Sequence, residues 1–71
     1  MSPHERMKAL DENGDSYVVT FNFLGHPPCY RADVLSHSED WLEIRHRNQK
    51  DYPVPWHVNM KMVAKIEIEV L

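Results

Sequence analysis

Residues 16–25 of the chain read SYVVTFNFLG. From Tyr17 onward, large apolar side chains recur at every second position, the period that is typical of a β-strand with one buried face. Gly25 and the prolines after it end this strand, because proline cannot donate to a β-ladder and glycine permits a sharp turn. One face of the predicted strand carries Tyr17, Val19, Phe21 and Phe23, and the other carries Val18, Thr20, Asn22 and Leu24.

Four more strands are predicted downstream of this segment. Short polar runs at residues 37–40 and 48–51 have the length and composition of loops between antiparallel neighbours. Pro53 and Pro55 confine the fourth strand to an edge of the sheet or to an irregular stretch. The predicted strands cover residues 29–36, residues 41–47, a segment that begins at Tyr52, and residues 63–71.

Alternation divides the side chains of these later strands into an inward and an outward set. The outward set of the last strand is charged, which discourages runaway pairing at an exposed edge. Residues 56–63 fit a strand as well as a helical stripe, and we place a short turn at residues 59–62. The inward set is Tyr30, Ala32, Val34, Leu42, Ile44, Ile66, Ile68 and Val70, and the outward set includes Arg31, Asp33, Glu43, Arg45, Arg47, Lys65, Glu67 and Glu69.

A helix is predicted ahead of the strands. Ser2 is placed to cap its N-terminus, Pro3 suits its first position, and Glu5 is spaced to complete a capping box. Gly14 can take the left-handed conformation that ends a helix, and a polar loop surrounds it. These signals predict a short helix over residues 3–10, and the alternative is a frayed terminus.

The length of the chain, 71 residues, allows one domain and no linker. Five strands from so short a chain are too few for two filled sheets. The expected fold is therefore mainly β, with a helix and loop over residues 1–15 and a strongly bent five-stranded antiparallel sheet, or small open barrel, over residues 16–71. The core of such a domain rarely supplies more than roughly 3–5 kcal/mol of unfolding free energy without an additional stabilising element.

Such an element can be a disulfide, a metal ion or a second copy of the chain. Cys29 is the only cysteine, so no intrachain disulfide can form, and a cytoplasmic location is expected. The five histidines are spread along the chain, and the pair of His26 and Cys29 falls short of the four ligands of a structural zinc. We therefore expect no metal, no cofactor and a homo-oligomer. The chain contains no apolar run long enough to span a membrane, so no membrane partner is expected.

Several residues can be compared with those of a known family. Leu24-Gly25 ends the first strand, where Sm-like proteins have an Asn-Gly-like turn. Val58, Val63 and Ile66 keep the apolar frame of that family before the last strand, with Asn59-Met60 in place of its Arg-Gly. In these residues and in the order of its elements the chain resembles the Sm-like barrel, an SH3-like fold of ring-forming RNA-binding proteins.

This resemblance implies a ring or a dimer built by pairing of the fourth and fifth strands of neighbouring copies. It does not imply the uridine pocket of the family. Ser36 or His37, and Asp40 or Trp41, stand where the aspartate and the asparagine of that pocket would be.

The sharpest polar cluster consists of Arg45, Arg47 and Lys50, in a chain whose formal net charge is −3. On a strand the two arginines share one face, and Lys50 in the following turn extends it, so the cluster is suited to a phosphate or an acidic partner. The alternative is a solvated face whose charge is balanced by Glu43 and Asp51.

Aromatic residues flank this cluster in sequence. Trp41, Tyr52 and Trp56 are suited either to stacking on unpaired bases or to filling a core or an interface. Trp56 and His57 follow two prolines that hold the backbone extended, and we expect this pair at a subunit or ligand contact.

Catalysis would need a nucleophile within hydrogen-bond reach of a base, together with an orienting group and an oxyanion site. The nominal pairs are Cys29 with a histidine, and Ser36 or Ser38 with His37. Adjacent side chains on a strand point to opposite faces, so Ser36 and His37 are not expected to meet. The sequence thus predicts no catalytic residue and no enzyme.

The expected function is that of a non-catalytic binding module that self-associates through edge strands of the barrel and contacts a protein partner. The predicted binding residues are Arg45, Arg47, Lys50, Trp56 and His57. The acidic balance of the chain argues against wholesale neutralisation of a phosphate backbone. Binding of RNA or single-stranded DNA by an Sm-like oligomer is the alternative, and a small hydrolase-like enzyme is the second alternative.

Overall fold

The computed structural model of the chain describes residues 2–47 and 55–71. Within these residues one helix is followed by five antiparallel strands, which form a single sheet that is not closed. This architecture confirms the mainly β fold class. The elements are α1 (Pro3–Asn13), β1 (Tyr17–Phe23), β2 (Tyr30–His37), β3 (Trp41–His46), β4 (Trp56–Asn59), a 3₁₀ turn (Met60–Met62) and β5 (Val63–Val70), and the strand order is β4-β3-β2-β1-β5.

Both ends of α1 carry the predicted capping signals. The Ser2 hydroxyl accepts a hydrogen bond from the Glu5 amide at 3.2 Å. Gly14 has φ of 78°, and its amide donates to the Asp11 carbonyl at 3.1 Å. The helix therefore continues to Asn13, beyond the predicted residues 3–10, because the left-handed glycine and not the polar composition sets its end. A frayed terminus is excluded.

The strands follow the predicted segments closely. β2 is displaced by one residue, to Tyr30–His37, and β3 ends at His46 instead of at residue 47. The predicted turn at residues 59–62 is the 3₁₀ turn, and β4 lies at an edge of the sheet, as its flanking prolines predicted. The turn predicted at residues 48–51 and the start of a strand at Tyr52 lie outside the described residues.

The core lies on the inner face of the sheet and is closed on one side by α1. Phe21 is opposite Tyr30 of β2 and Ile66 of β5, so apolar side chains continue across three strands. Leu42 and Ile44 are buried, which confirms their predicted inward orientation. The buried cluster consists of Met7, Val19, Phe21, Ala32, Leu42, Ile44 and Val58.

A bulge bends the sheet between β2 and β3. Their register shifts between Val34 and Ser36, and Leu35 in the bulge is 42% exposed. Such bulges increase the local twist and curve the strand that carries them. The alternation of β2 therefore changes phase at Leu35, so His37 turns toward the inner side, below α1.

The inner face has two distinct ends. At the helix end, β1 begins at Tyr17 and β2 finishes at His37, and both residues hydrogen-bond to Asp11 of α1. At the opposite end the strands contribute rings, and we call this the aromatic end. Its members are Phe23, Tyr30, His46 and Trp56. No helix in the described part of the chain has the length and apolarity needed to cross a membrane.

Candidate functional site

The two arginines of the predicted binding cluster lie on the outer face of the sheet. Arg45 alternates with the inward residues of β3, Arg47 directly follows the strand, and both side chains are exposed. Arg45 is directly opposite Asp33 of β2. The Arg47 guanidinium lies 3.7 Å from the same carboxylate. One acidic residue between the two cations reduces the positive potential that this face offers to a phosphate.

Trp56 and His57 point to opposite faces of β4. His57 is on the outer face, where its Nε2 lies 2.8 Å from the Glu43 carboxylate. Trp56 is opposite Ile44 on the inner face, and its ring contacts Tyr30. The structure thus separates Trp56 from the arginines with which it was grouped, and Lys50 lies outside the described residues.

The rest of the outer face also carries charges of both signs. Arg31 of β2 donates to Glu69 of β5 at 2.8 Å across β1. Lys65 and Glu67 of β5 form an ion pair of 3.0 Å, and the hydrogen bond to Glu67 raises the pKa of Lys65 above its usual value. This mixed pattern supports the balanced-face alternative over a concentrated phosphate site.

β4 and β5 are the two outermost strands of the sheet. In the described residues, β4 and β5 each pair along one side. The Leu71 amide donates to the Ser16 carbonyl next to β1 at 2.8 Å. Because peptide groups alternate along an antiparallel strand, the amides of Ile66 and Ile68 then point away from β1, toward the open side. β5 therefore presents backbone donors and acceptors to a further strand.

A groove runs between the first turn of α1 and the β5 edge. It has a volume of about 450 Å³ and is lined by both polar and apolar side chains. No pattern in the sequence links residues 2–6 with residues 66–68, so this groove was not predicted. Its lining residues are Ser2, Pro3, Arg6, Ile66, Glu67 and Ile68.

A second pocket forms where the β2–β3 loop meets the 3₁₀ turn. The Met60 amide donates to the Asp40 carbonyl at 2.9 Å and holds the two loops together. Trp41 is 41% exposed at the rim, and its ring contacts His57 edge to face. This cavity of about 430 Å³, here termed the Trp41 pocket, is lined by Asp40, Trp41, His57, Val58, Asn59 and Lys61.

At the helix end, polar side chains from three elements form a hydrogen-bonded chain. His37 contacts His4 through Nδ1 and Asp11 through Nε2, both at 2.7 Å. The Tyr17 hydroxyl donates to Asp11 at 2.9 Å. The bond from His37 lowers the pKa of Asp11, with a further contribution from Tyr17, whereas burial and the bond to Asp11 raise the pKa of Tyr17.

In this arrangement the His37 ring is directed to α1, and the Ser38 hydroxyl accepts from the Asp40 and Trp41 amides. Both ring nitrogens of His37 are engaged with α1, and Ser36 is opposite Glu43 of β3. Cys29 is exposed before β2, beside Lys65 in a small outer-face cavity. Among residues 2–47 and 55–71, no group of three or more histidine, cysteine or acidic side chains is arranged to hold a metal ion.

Comparison of the chain with protein-family models, with curated proteins and with solved structures finds no match.

Proposed function

We propose that this protein is a non-catalytic binding module that self-associates by pairing β4 of one copy with β5 of the next. The observation that carries this proposal is the presence of two strand edges at opposite ends of one sheet. Within residues 2–47 and 55–71, β4 and β5 each have a strand on one side only, whereas head-to-tail pairing of two copies gives one edge of each copy a partner strand. Such heterologous contacts generate a closed ring when the rotation between copies permits it.

The inner faces of the two edges are chemically matched. Trp56 and Val58 of β4 point inward, and so do Ile66 and Ile68 of β5. Pairing of the edges joins these apolar rows into one continuous core. Trp56 is 37% exposed and Val70 is 46% exposed in the single chain. Burial of such side chains stabilises an assembly by about 25 cal/mol for each Å² of apolar surface removed from water.

The outer faces of the two edges differ in charge. β5 carries Glu67 and Glu69 together with Lys65, and the β4 side carries Lys61, with Arg45 and Glu43 one strand further in. A β5 edge placed beside β4 brings Glu67 and Glu69 toward Lys61 and Arg45. Charge complementarity of this kind selects the register and the partner more than it adds affinity.

The order of the helix and strands also supports assembly through β4 and β5. A short helix followed by a five-stranded open sheet is the architecture expected of an Sm-like or SH3-like barrel, and the Sm-like resemblance implies assembly through the fourth and fifth strands. A chain of 71 residues also has too small a core to be very stable alone, so assembly supplies the missing stabilisation. The outer face of the assembled sheet, with Arg45, Arg47 and His57, remains open to a protein partner.

Amide exchange in the unmodified protein tests the pairing directly. The amides of Ile66 and Ile68 point away from β1, so they exchange rapidly in a single copy and become protected when β4 of a second copy pairs with them. The amides of Glu67 and Glu69 face β1 and serve as internal controls that stay protected in both states. Protection of Ile66 and Ile68 should fall on dilution together with the mass measured by light scattering. A monomer at all concentrations, with unprotected Ile66 and Ile68, overturns the proposal.

Charge reversal then tests the orientation of the contact. Glu67→Lys with Glu69→Lys makes the β5 edge basic, and Arg45→Glu with Lys61→Glu makes the β4 side acidic. Each double variant should lower the mass at low salt, and the variant that combines all four changes should restore it. Glu12→Lys on α1 is the control for net charge and should leave the mass unchanged. Failure of the combined variant to recover would show that these two edges do not meet.

A second candidate function is the binding of single-stranded nucleic acid at the Trp41 pocket. The observation that favours it is a half-exposed indole beside Lys61 and the amide of Asn59, since exposed rings next to cations are suited to stacking on unpaired bases. The adjacent Asp40 carboxylate opposes the approach of a phosphate.

Fluorescence anisotropy with a labelled single-stranded oligonucleotide tests this candidate. Trp41→Ala should weaken binding about tenfold, since stacking of one base is worth roughly 1–3 kcal/mol, and binding should fall steeply as salt rises. Leu35→Ala is a control, because Leu35 is an exposed apolar residue outside the pocket. The candidate fails if no anisotropy change appears at low salt.

A further inference from the structure

The hydrogen-bonded chain at the helix end constrains where protons can reside. Asp11 accepts from both Tyr17 and His37, because an ionised carboxylate has no donor. Nε2 of His37 must therefore carry a hydrogen. The two Nδ1 atoms of His4 and His37 are 2.7 Å apart, so one must donate and the other must accept through a lone pair. At least one of the two rings is consequently neutral.

We propose that the contact between His4 and His37 is a pH-released latch that holds α1 on the sheet. With both rings protonated, each Nδ1 carries a hydrogen, and two N–H groups face each other at hydrogen-bond distance. The contact then becomes repulsive, and the helix separates from β2. With a single hydrogen between the two Nδ1 atoms, the contact is attractive and α1 stays on the sheet.

The surroundings of the latch do not compensate two positive charges. Asp11 supplies one negative charge to His37, and the neutral hydroxyl of Tyr17 from β1 supplies none. The His37 side chain is only 9% exposed, so water cannot solvate a second charge beside it. His4 is in the first turn of α1, where the positive end of the helix dipole opposes a cation.

Other charged groups surround the two elements. Asp15 and Asp33 line one cavity with Asp11, and their carboxylates are engaged with Asn13 and Arg47. Lys8 follows His4 by one helical turn on α1 and adds positive charge to the same side of the helix. Glu39 and Asp40 belong to the loop after β2 and are exposed. Glu43 of β3 contacts His57 on the outer face. Asp11 is thus the acidic group that directly bonds the latch in the described structure.

Opening of the latch uncovers part of the core. Met7 lies one turn from His4 on α1 and is fully buried against the sheet. The first turn of the helix also lines the groove beside β5. Release of α1 is a property of the single chain, so it does not depend on the proposed self-association.

Amide exchange of α1, expressed as protection factors at pH 7.5 and pH 5, tests the latch. In the wild-type chain the protection of helix amides should fall about five- to tenfold on acidification, the equivalent of one lost hydrogen bond, while that of β1 amides stays unchanged. In His4→Asn the side-chain amide can donate to a bare His37 Nδ1 through its NH₂ group or accept from a protonated one through Oδ1, so the acid-dependent loss should disappear. His57→Asn removes a histidine–carboxylate contact elsewhere and should behave as the wild type.

The unmodified protein supplies a second readout. Ring ¹⁵N chemical shifts show which nitrogens carry hydrogen, and at pH 7.5 one of the two Nδ1 atoms of His4 and His37 should be protonated and the other bare. Hydrogen on neither Nδ1 atom, or helix protection that falls equally in wild type and His4→Asn, would overturn the latch.

Discussion

The two ends of the inner face are closed in different ways. At the helix end, His4 and Asp11 of α1 bond to His37, which is separated from them by more than twenty residues of sequence. At the aromatic end, Tyr30 and Trp56 belong to strands of one sheet and contact each other edge to face. The first closure depends on the protonation of titratable groups, and the second depends on packed rings. Conditions that act on charge should therefore loosen one end and spare the other.

Both ends share the same core, and the largest expected effect comes from removing its centre. Phe21 is 1% exposed and contacts Phe23 and Tyr30 of the aromatic end. Phe21→Ala should cost about 3–5 kcal/mol of unfolding free energy, because a buried ring is replaced by a cavity. For a domain this small the variant should be largely unfolded, as circular dichroism in a urea series would detect. A loss below about 1 kcal/mol would show that the sheet does not depend on this ring.

Met7→Ala should act more selectively, on the helix end. Met7 is fully buried, so its truncation should cost about 2–4 kcal/mol. Amide exchange should show the loss of protection concentrated in α1, with the amides of β2 and β3 less affected. Lys8→Ala, an exposed neighbour on the same helix, is the matched control and should change stability little. Equal loss of protection in α1 and in the sheet would mean that the helix end is not a separate unit.

A pair of glycines allows the two ends to be compared under the same backbone change. Gly14 ends α1 with φ of 78°, and Gly25 follows β1 at the aromatic end with φ of 70°. An added methyl group meets no atom within 4 Å at either position, so the cost is conformational. Gly14→Ala and Gly25→Ala should each lose about 1–2 kcal/mol in urea unfolding. A much larger loss at one position would reveal a contact that depends on that turn.

The smallest expected effect concerns the tyrosines of the two ends. Tyr17→Phe and Tyr30→Phe each remove one hydroxyl hydrogen bond, to Asp11 or to His26, and should each cost about 1 kcal/mol or less at pH 7. Tyr17 also makes a contribution that depends on pH. Its folded pKa is raised, so the stabilisation is complete below the unfolded value near 10 and is lost as pH rises through the folded pKa.

Urea unfolding at pH 7 and at pH 11 measures this contribution. The wild type should lose more stability between the two values than Tyr17→Phe does. Equal losses would show that burial and the bond to Asp11 do not raise the pKa of Tyr17 in the folded chain.

Local pattern was sufficient for most of the fold. The alternation of β1 and β5, the Ser2 cap and the glycine stop of α1 each depend on residues within a few positions of one another, and all of them are present in the structure. The edge position of β4 followed from its prolines, because they withhold donors from a ladder. These features rest on short-range sterics and hydrogen bonding, which a sequence expresses directly.

The candidate site was predicted less completely. Arg45 and Arg47 share the outer face as alternation predicted, yet Trp56, which was grouped with them, is on the inner face and His57 is on the outer face instead. Its side follows from the register in which β4 pairs with β3, and neither strand's own pattern specifies that register. The acidic partners of the outer-face cations come from neighbouring strands, so the charge balance of the face also depended on pairing.

The sequence by itself determined where the chain is helical, where it is extended and which side chains of each strand are apolar. Only the tertiary structure decided that His4 bonds to His37, that α1 and β5 enclose a groove, and that β5 forms the edge opposite β4. The physical reason is the range of the interactions. Capping and alternation act over a few residues, whereas contacts across 33 positions of the chain depend on how the sheet bends and on which strands become neighbours.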